Sequence, residues 1–249
     1  MGGSMAEGFV RYGLCAAQDV TVTAPHDATL ERYRQLGMNA MTSNVEAVSG
    51  ADIVVVAVKP WLVEQVVAEI KPVLDYGRQT VLSVAAGVSG DSLKAFLARE
   101  DGGLPQIFIA IPNVAIAIGC SMTYILPVNV PDAGAVERMK DMFAAVGDTL
   151  VVEERQLDAV VKASCGIAYA MRYVRASMEG CVELGFKAAA ARRLVLQTMK
   201  GAVALLQANG NHPEAEIDNV TTPGGFTIRG LNAMEDAGFS SAVIRGLKG

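Results

Sequence analysis

Through about its first 150 residues the chain alternates short β-branched runs with amphipathic helical patterns, and after Glu153 the strand signals stop. Val20 to Thr23, Ile53 to Val58, Thr80 to Val84 and Gln106 to Ile111 read as strands. Asp27 to Leu36, Trp61 to Ile70 and Ser89 to Ala98 read as helices, with Ser89 and Asp91 as candidate N-caps for the last. Two further strands, Met122 to Leu126 and Thr149 to Val152, bracket a helix around Ala133 to Ala145. Strands that take turns with helices bury both faces of a sheet, so the pattern predicts βαβ units in a doubly wound parallel sheet.

The remainder is helical. Gln156 to Leu184 reads as one long helix and Ala188 to Ala208 as a second, followed by a short element from Pro213 and helices over Thr227 to Ala237 and Ser240 to Leu247. The two long helices are apolar on more than one face, and such helices must be buried. A domain this small covers them only in part, which predicts an all-helical dimer interface. Arg172 and Arg175 then need partners if they lie in it. The expected domains are residues 1–153 and 154–249.

Hydrophobic residues make up 51% of the chain and aromatics only 6%, a balance that suits parallel strands and close-packed helices. The net charge of -5 offers no basic field for nucleic acid or anionic lipid. Four cysteines without a C-x-x-C pair, and only two histidines, leave no metal-ligand spacing. The expectation is reduced, mostly buried thiols in a cytoplasmic protein. The apolar stretch Ile107 to Val128 is interrupted by Pro112, Asn113 and Gly119, so it reads as two strands and not as a membrane span.

Several features point to a nucleotide. The chain opens Gly2-Gly3-Ser4-Met5-Ala6 and runs into a helical pattern, an arrangement that lets backbone N–H groups and the helix dipole meet a pyrophosphate. The fingerprint is incomplete, because Met1 occupies the first glycine's place and no strand precedes it. The second-strand tip, Thr23-Ala24-Pro25-His26, lacks the acid that NAD enzymes use for ribose hydroxyls, which favours NADP(H) while NAD(H) stays possible. Val58-Lys59-Pro60 and Ser83 to Gly87 end the next two strands, where ligands of such sheets bind; the small residues of the second would admit a nicotinamide ring. Each has a plainer reading, a solvated lysine or a shaped turn. On this pattern Gly3, Ser4, Met5, Ala24, His26, Val58, Lys59 and Pro60 are candidate cofactor contacts.

Over nearly its whole length the chain resembles the pyrroline-5-carboxylate reductase family. The family's phosphate turn resembles Gly3 to Ala6, its V-K-P resembles Val58 to Pro60, its A-A-G resembles Ala85 to Gly87, and Ile111-Pro112-Asn113 matches part of its M-P-N-T-P. The most specific match is spaced through the C-terminal part: Gln197-Thr198, Gly201-Ala202, His212-Pro213, Asp218-Asn219-Val220, then Pro223-Gly224-Gly225-Phe226-Thr227-Ile228 and Leu231. The resemblance implies a Rossmann-like sheet followed by an all-helical dimerisation domain, and NAD(P)H-dependent reduction of a cyclic imine to L-proline. It also implies cofactor contacts at Asn44, Lys59, Ala86 and Asn219, and a substrate-side acid at Glu154. Gly224, Gly225, Phe226 and Thr227 would cradle the substrate carboxylate, with Thr227 also bonding the ring nitrogen. Read physically, Pro-Gly-Gly exposes N–H groups ahead of a helix at Thr227, which is an anion site; an ordinary helix start with a Thr cap is the plainer alternative. A second protomer is expected to close the site.

The chain departs from the family at Ala163 to Tyr169, which keeps only part of S-G-S-G-P-A-Y, at Val114, and at Arg175, where the family commonly has Glu. A β-hydroxyacid dehydrogenase of similar layout would carry a catalytic Lys and an Asn early in the long helix, and Cys165 to Val174 has neither. A non-catalytic NADP-binding regulator, or an imine reductase acting on another substrate, remains the alternative. Because the first strand of the pattern is missing, the expectation is that it lies upstream of Met1 or that nucleotide binding is impaired.

Overall fold

The β-branched runs become strands, and the two central ones bury both faces. In the computed structural model, which describes residues 1–249, β5 (Gln106–Ile111) sends Ile107, Ile109 and Ile111 into one apolar cluster and Phe108 and Ala110 into another. The chain divides into two compact units, Met1–Ser164 and Cys165–Gly249.

In the first unit, β1 (Thr21–Thr23) and β2 (Asn39–Met41) pair in parallel, Val22 opposite Ala40. A separate five-stranded sheet runs in the order β3 (Ile53–Val56), β4 (Thr80–Ser83), β5, β6 (Ser121–Asn129), β7 (Gly147–Val151). All its pairs are parallel except β5–β6, which is antiparallel because the chain turns back through a 3-10 turn at Val114–Ile118. The stretch Ile107 to Val128 is therefore two strands of one hairpin-like pair. No helix is long and apolar enough to cross a membrane.

Helices cover the five-stranded sheet on both sides. α1 (Gly2–Arg11) and α6 (Ala135–Ala144) bury Met5, Phe9, Met139 and Phe143 against Leu82, Phe108 and Ile125. The rings of Phe9 and Phe143 meet edge to face at 5.8 Å. On the other side α4 (Val63–Ile70), α5 (Gly90–Leu97) and α7 (Leu157–Ser164) bury Val63, Val67, Leu93, Leu97 and Val160 against Val54, Val81, Ile107 and Ile109. On the edge strand β3, Ile53 and Val55 stay 39% and 38% exposed.

Several local expectations are corrected. Two short elements carry little periodicity: β2 has no β-branched residue, and α3 (Asn44–Ser49) has only six residues. The helix expected from Trp61 starts at Val63, because Pro60–Leu62 makes a 3-10 turn first. Ser89 is the N-cap of α5, accepting from the Ser92 N–H, whereas Asp91 lies inside the helix and pairs with Lys94. The single helix expected over Gln156 to Leu184 is broken at Cys165 into α7 and α8 (Gly166–Glu183). There the Ser164 hydroxyl donates to the Val161 carbonyl and a glycine follows, both of which weaken a helical ladder. The thiols are less buried than expected: Cys120 and Cys165 are exposed, beside a turn and at the helix junction, and Cys15 and Cys181 are half-buried.

In the second unit α8, α9 (Ala188–Asn209), α10 (Pro213–Asn219), α11 (Phe226–Asp236) and α12 (Phe239–Lys248) pack with very little fully buried: Ala191 and Val195 on α9 alone qualify. Tyr173 stacks edge to face on Phe239, and the Tyr169 hydroxyl donates to the Gly246 carbonyl. Met171, Leu194, Leu196, Val203 and Ile244 remain exposed. Arg175 pairs with Glu179 one turn on, at 2.9 Å with both side chains well exposed, an arrangement that contributes little by itself.

Replacing Phe143 by Ala deletes a fully buried ring from the α1–α6 face. It is expected to lower the stability of the first unit by about 3–5 kcal/mol, read as a shift in its urea midpoint.

Candidate active site

The carboxyl ends of the parallel strands β3, β4 and β5 lie at one edge of the first unit, and the start of α1 reaches the end of β3 there. α1 begins at Gly2, so the N–H groups of Gly2, Gly3 and Ser4 have no acceptor within the helix, while that of Met5 bonds the Met1 carbonyl. The first turn is closely packed. A Cβ on Gly2 would lie 2.8 Å from Ala57 Cβ, just past β3, and one on Gly3 would collide with the hydroxyl of Tyr33 on α2 (Asp27–Gln35). Gly3 and Ser4 thus stand at an electropositive helix end, and the Met5 side chain turns into the core, 2% exposed.

The β1 tip is held by side chains. The Thr23 hydroxyl donates to Asn44 Oδ1 at 2.7 Å, and Asn44 Nδ2 donates to Glu69 Oε2 at 3.0 Å. Asn44 opens α3 immediately after its N-cap Ser43, whose hydroxyl accepts from the Glu46 N–H. That Ser-x-x-Glu spelling is a helix-start signature, of which the serine half is formed, and it locates α3 and with it Asn44. Ala24 is half-buried, and His26 is the exposed N-cap residue of α2, with no cap bond from its ring. At the β3 end Val58 is half-buried, Lys59 is exposed without an ion pair, and Pro60 starts the 3-10 turn. At the β4 end Ala86 is exposed beside Gly87, whose φ is 89°.

Glu154 lies on the same unit, where its Oε1 accepts from the Gly90 N–H at 3.0 Å. Gly90 was not among the residues singled out from sequence, and nothing in its surroundings there marks it. No group of three or more His, Cys, Asp or Glu side chains is placed to hold a metal ion.

In the second unit, the segment after α10 is locally tied. The Thr221 hydroxyl donates to the Ile217 carbonyl, and the Gly225 N–H closes a turn on the Thr222 carbonyl at 3.0 Å. Gly224 takes φ 69°, and a Cβ on Gly225 would strike Thr222. Both glycines are thus required by the turn. Gly225 is the N-cap of α11, which starts at Phe226, one residue before the expected Thr227. Thr227 is consequently not the cap: it stands at the second helical position, exposed, with no hydrogen bond to its hydroxyl. The first turn of α11 contains no acidic residue. Its free N–H groups and dipole are open to an external anion. Phe226, 93% exposed, flanks them.

Residues 154–249 match the model for the pyrroline-5-carboxylate reductase dimerisation domain, and residues 1–87 match that for NADP oxidoreductase, coenzyme F420-dependent. The chain is 36% identical to pyrroline-5-carboxylate reductase 1 of Dictyostelium discoideum, covering 99% of this chain and 46% of that protein. It is 34% identical to reductase 2 of the same organism, covering 99% and 86% of the two chains. This chain belongs to the pyrroline-5-carboxylate reductase family. Among solved structures, pyrroline carboxylate reductase of Plasmodium falciparum with NADP bound has the same fold, with a TM-score of 0.88, 24% identity and coverage of 100% and 90%. The reductase of Streptococcus pyogenes follows at 0.82, with 25% identity and coverage of 99% and 94%. The chain thus spans about half of the first Dictyostelium relative and most of the others.

Asn219, the remaining cofactor candidate, ends α10 exposed and adjoins an amide cluster. Asn211, then Asn209, donate to Glu216, and these bonds hold its carboxyl below the ordinary value of 4.5. A carboxylate with a depressed folded pKa adds stability above its unfolded value and loses it as pH falls through the folded one. The stability difference between the native chain and Glu216→Gln should therefore be present at pH 7 and shrink on acidification below the ordinary value of 4.5. Paired thermal melts across that range check it.

Proposed function

We propose that this chain is a pyrroline-5-carboxylate reductase, using NADPH to reduce the cyclic imine to L-proline as the closing step of proline synthesis in the cytoplasm. The observation that carries the reading is the Gly224–Gly225 turn, which feeds an acid-free helix start where the Thr227 hydroxyl is unengaged.

The residues present fit a dinucleotide. The first turn of α1 offers unpaired N–H groups beside Ala57 and Tyr33, and the β1 tip carries Thr23 and Asn44 in place of an acid. Ala24, His26, Val58, Lys59, Pro60 and Ala86 would line the nucleotide edge of the first unit. A reduced nicotinamide, when bound, supplies the hydride. The absence of a ribose-reading acid at the tip supports NADPH over NADH.

The chain's own residues then orient the imine. The N–H groups of Phe226 and Thr227, aided by the helix dipole, hold the carboxylate. The Thr227 hydroxyl is assigned to the ring nitrogen. A protonated imine is already electrophilic, so orientation and charge complementarity provide most of the acceleration.

Thr227→Ala is expected to lower kcat/KM for pyrroline-5-carboxylate by about 10- to 100-fold, the value of a lost hydrogen bond to a charged partner. Steady-state NADPH oxidation measures it; an unchanged value removes the assigned role, and no imine-dependent oxidation by the native chain removes the reductase reading.

The exposed apolar surface of α8 and α9 supports a homodimer. An apolar groove of about 540 Å³ lies there, lined by residues including Met171, Val174, Leu196 and Val203. Val203→Asp places a charge in it and is expected to shift the chain from dimer to monomer in sedimentation velocity.

A further inference from the structure

The loop between β4 and α5 displays Ala86 at the strand-end edge, and its helix end is gripped from a distant part of the chain. α5 has two capping partners. Ser89 Oγ accepts from the Ser92 N–H at 3.1 Å, and Glu154 Oε1 accepts from the Gly90 N–H at 3.0 Å. Glu154 comes 64 residues later, just after β7, on the 3-10 turn Glu154–Gln156. That turn is itself closed by Gln156, whose side chain accepts from the Glu153 N–H.

The fit at Gly90 is tight. A Cβ there would lie 2.8 Å from Glu154 Oε2 and 3.1 and 3.3 Å from the two γ-carbons of Val128. The residue is buried, and the missing side chain is what allows the carboxylate to reach the helix end. A carboxylate at a helix N-terminus is favoured both by the unpaired N–H and by the dipole.

Upstream, the loop is fixed by β4, where the Val84 N–H bonds the Val56 carbonyl and Ala85 is buried. Between that anchor and Gly90 stand only the exposed Ala86, Gly87 with φ 89°, the buried Val88 and Ser89. The position of Ala86 is therefore set from two ends: the sheet on one side, and the capped start of α5 on the other.

We propose that Glu154 is a positioning residue for the nicotinamide-facing loop, acting through the Gly90 N–H and not by contact with the substrate. The role rests on the reductase reading in one respect, that Ala86 faces the cofactor. It needs an acceptor oxygen at this position more than it needs a negative charge. Gln, which keeps an oxygen, can therefore replace Glu where Ala cannot.

The test compares the native chain with Glu154→Ala and Glu154→Gln. NADPH affinity is titrated by the cofactor's own fluorescence, KM is measured separately for NADPH and for pyrroline-5-carboxylate, and amide exchange is followed over residues 84–92. Glu154→Ala is expected to raise the NADPH Kd by about three- to ten-fold and to speed exchange in that segment. The imine KM should move less than the cofactor terms, and Glu154→Gln should restore both affinity and protection. The proposal is overturned if Glu154→Ala leaves Kd and exchange unchanged, if only the imine KM responds, or if Gln is as damaging as Ala. A native chain that shows no imine-dependent oxidation would sink the reductase reading, while the Kd and exchange comparison would still decide the role of Glu154.

Discussion

The two-sided burial of β4 and β5 is the constraint on which the first unit depends. Val81, Ile107 and Ile109 meet α4 and α5 on one face, while Leu82, Phe108 and Ala110 meet α1 and α6 on the other. A strand buried on both faces cannot slip by one residue without exchanging the contents of two cores. Register is thereby fixed, and with it the level at which the β3 and β4 ends present Val58 to Pro60 and Ala85 to Gly87. The loops can be small and lightly bonded because the strands beneath them cannot move.

The two helix starts assigned to anions are built the same way, behind or upon paired glycines. α1 begins with Gly2 and Gly3 packed against Ala57 and Tyr33, and α11 begins after Gly224 and Gly225 folded over Thr222. Neither helix has an acid in its first turn. α5 is the contrast. Its start carries Asp91 and receives Glu154, so its dipole is satisfied from within the protein. At α5 the chain supplies the carboxylate for its own helix end, whereas at α1 and α11 it leaves the first turn without one.

Much of this was legible in the sequence, and what was not has a physical reason. The strands of the five-stranded sheet and the helices α9, α11 and α12 followed from period and composition, because long periodic segments average over many side chains. β2 and α3 escaped since three and six residues carry little period, although Ser43 stood as an N-cap signal for α3. The antiparallel return of β6 is a matter of connection, not of side-chain pattern. The break at Cys165 turns on one hydroxyl bond, Ser164 to Val161. Among candidate site residues, Gly224 and Gly225 were readable because their turn needs glycine. The grip of Glu154 on Gly90 was not, since no spacing rule joins residues 64 apart.

The titratable groups of the chain show why such a site is hard to find by charge. Asp27 and Asp132 have carboxyls held low by Arg34 and Arg138, and both are exposed surface pairs. Glu216 is held low by neutral amides. A search for displaced acids and bases would stop at these pairs. Reduction of a protonated imine asks for something else: a fixed anion pocket, a donor or acceptor at one nitrogen, and a flat place for a ring. Backbone N–H groups, one threonine hydroxyl and an alanine-glycine loop can meet those demands. The functional signal in TTPGGFTI is accordingly carried by residues chosen for the shape they give the backbone, with the Thr227 hydroxyl exposed and unbonded in the first turn of the helix they start.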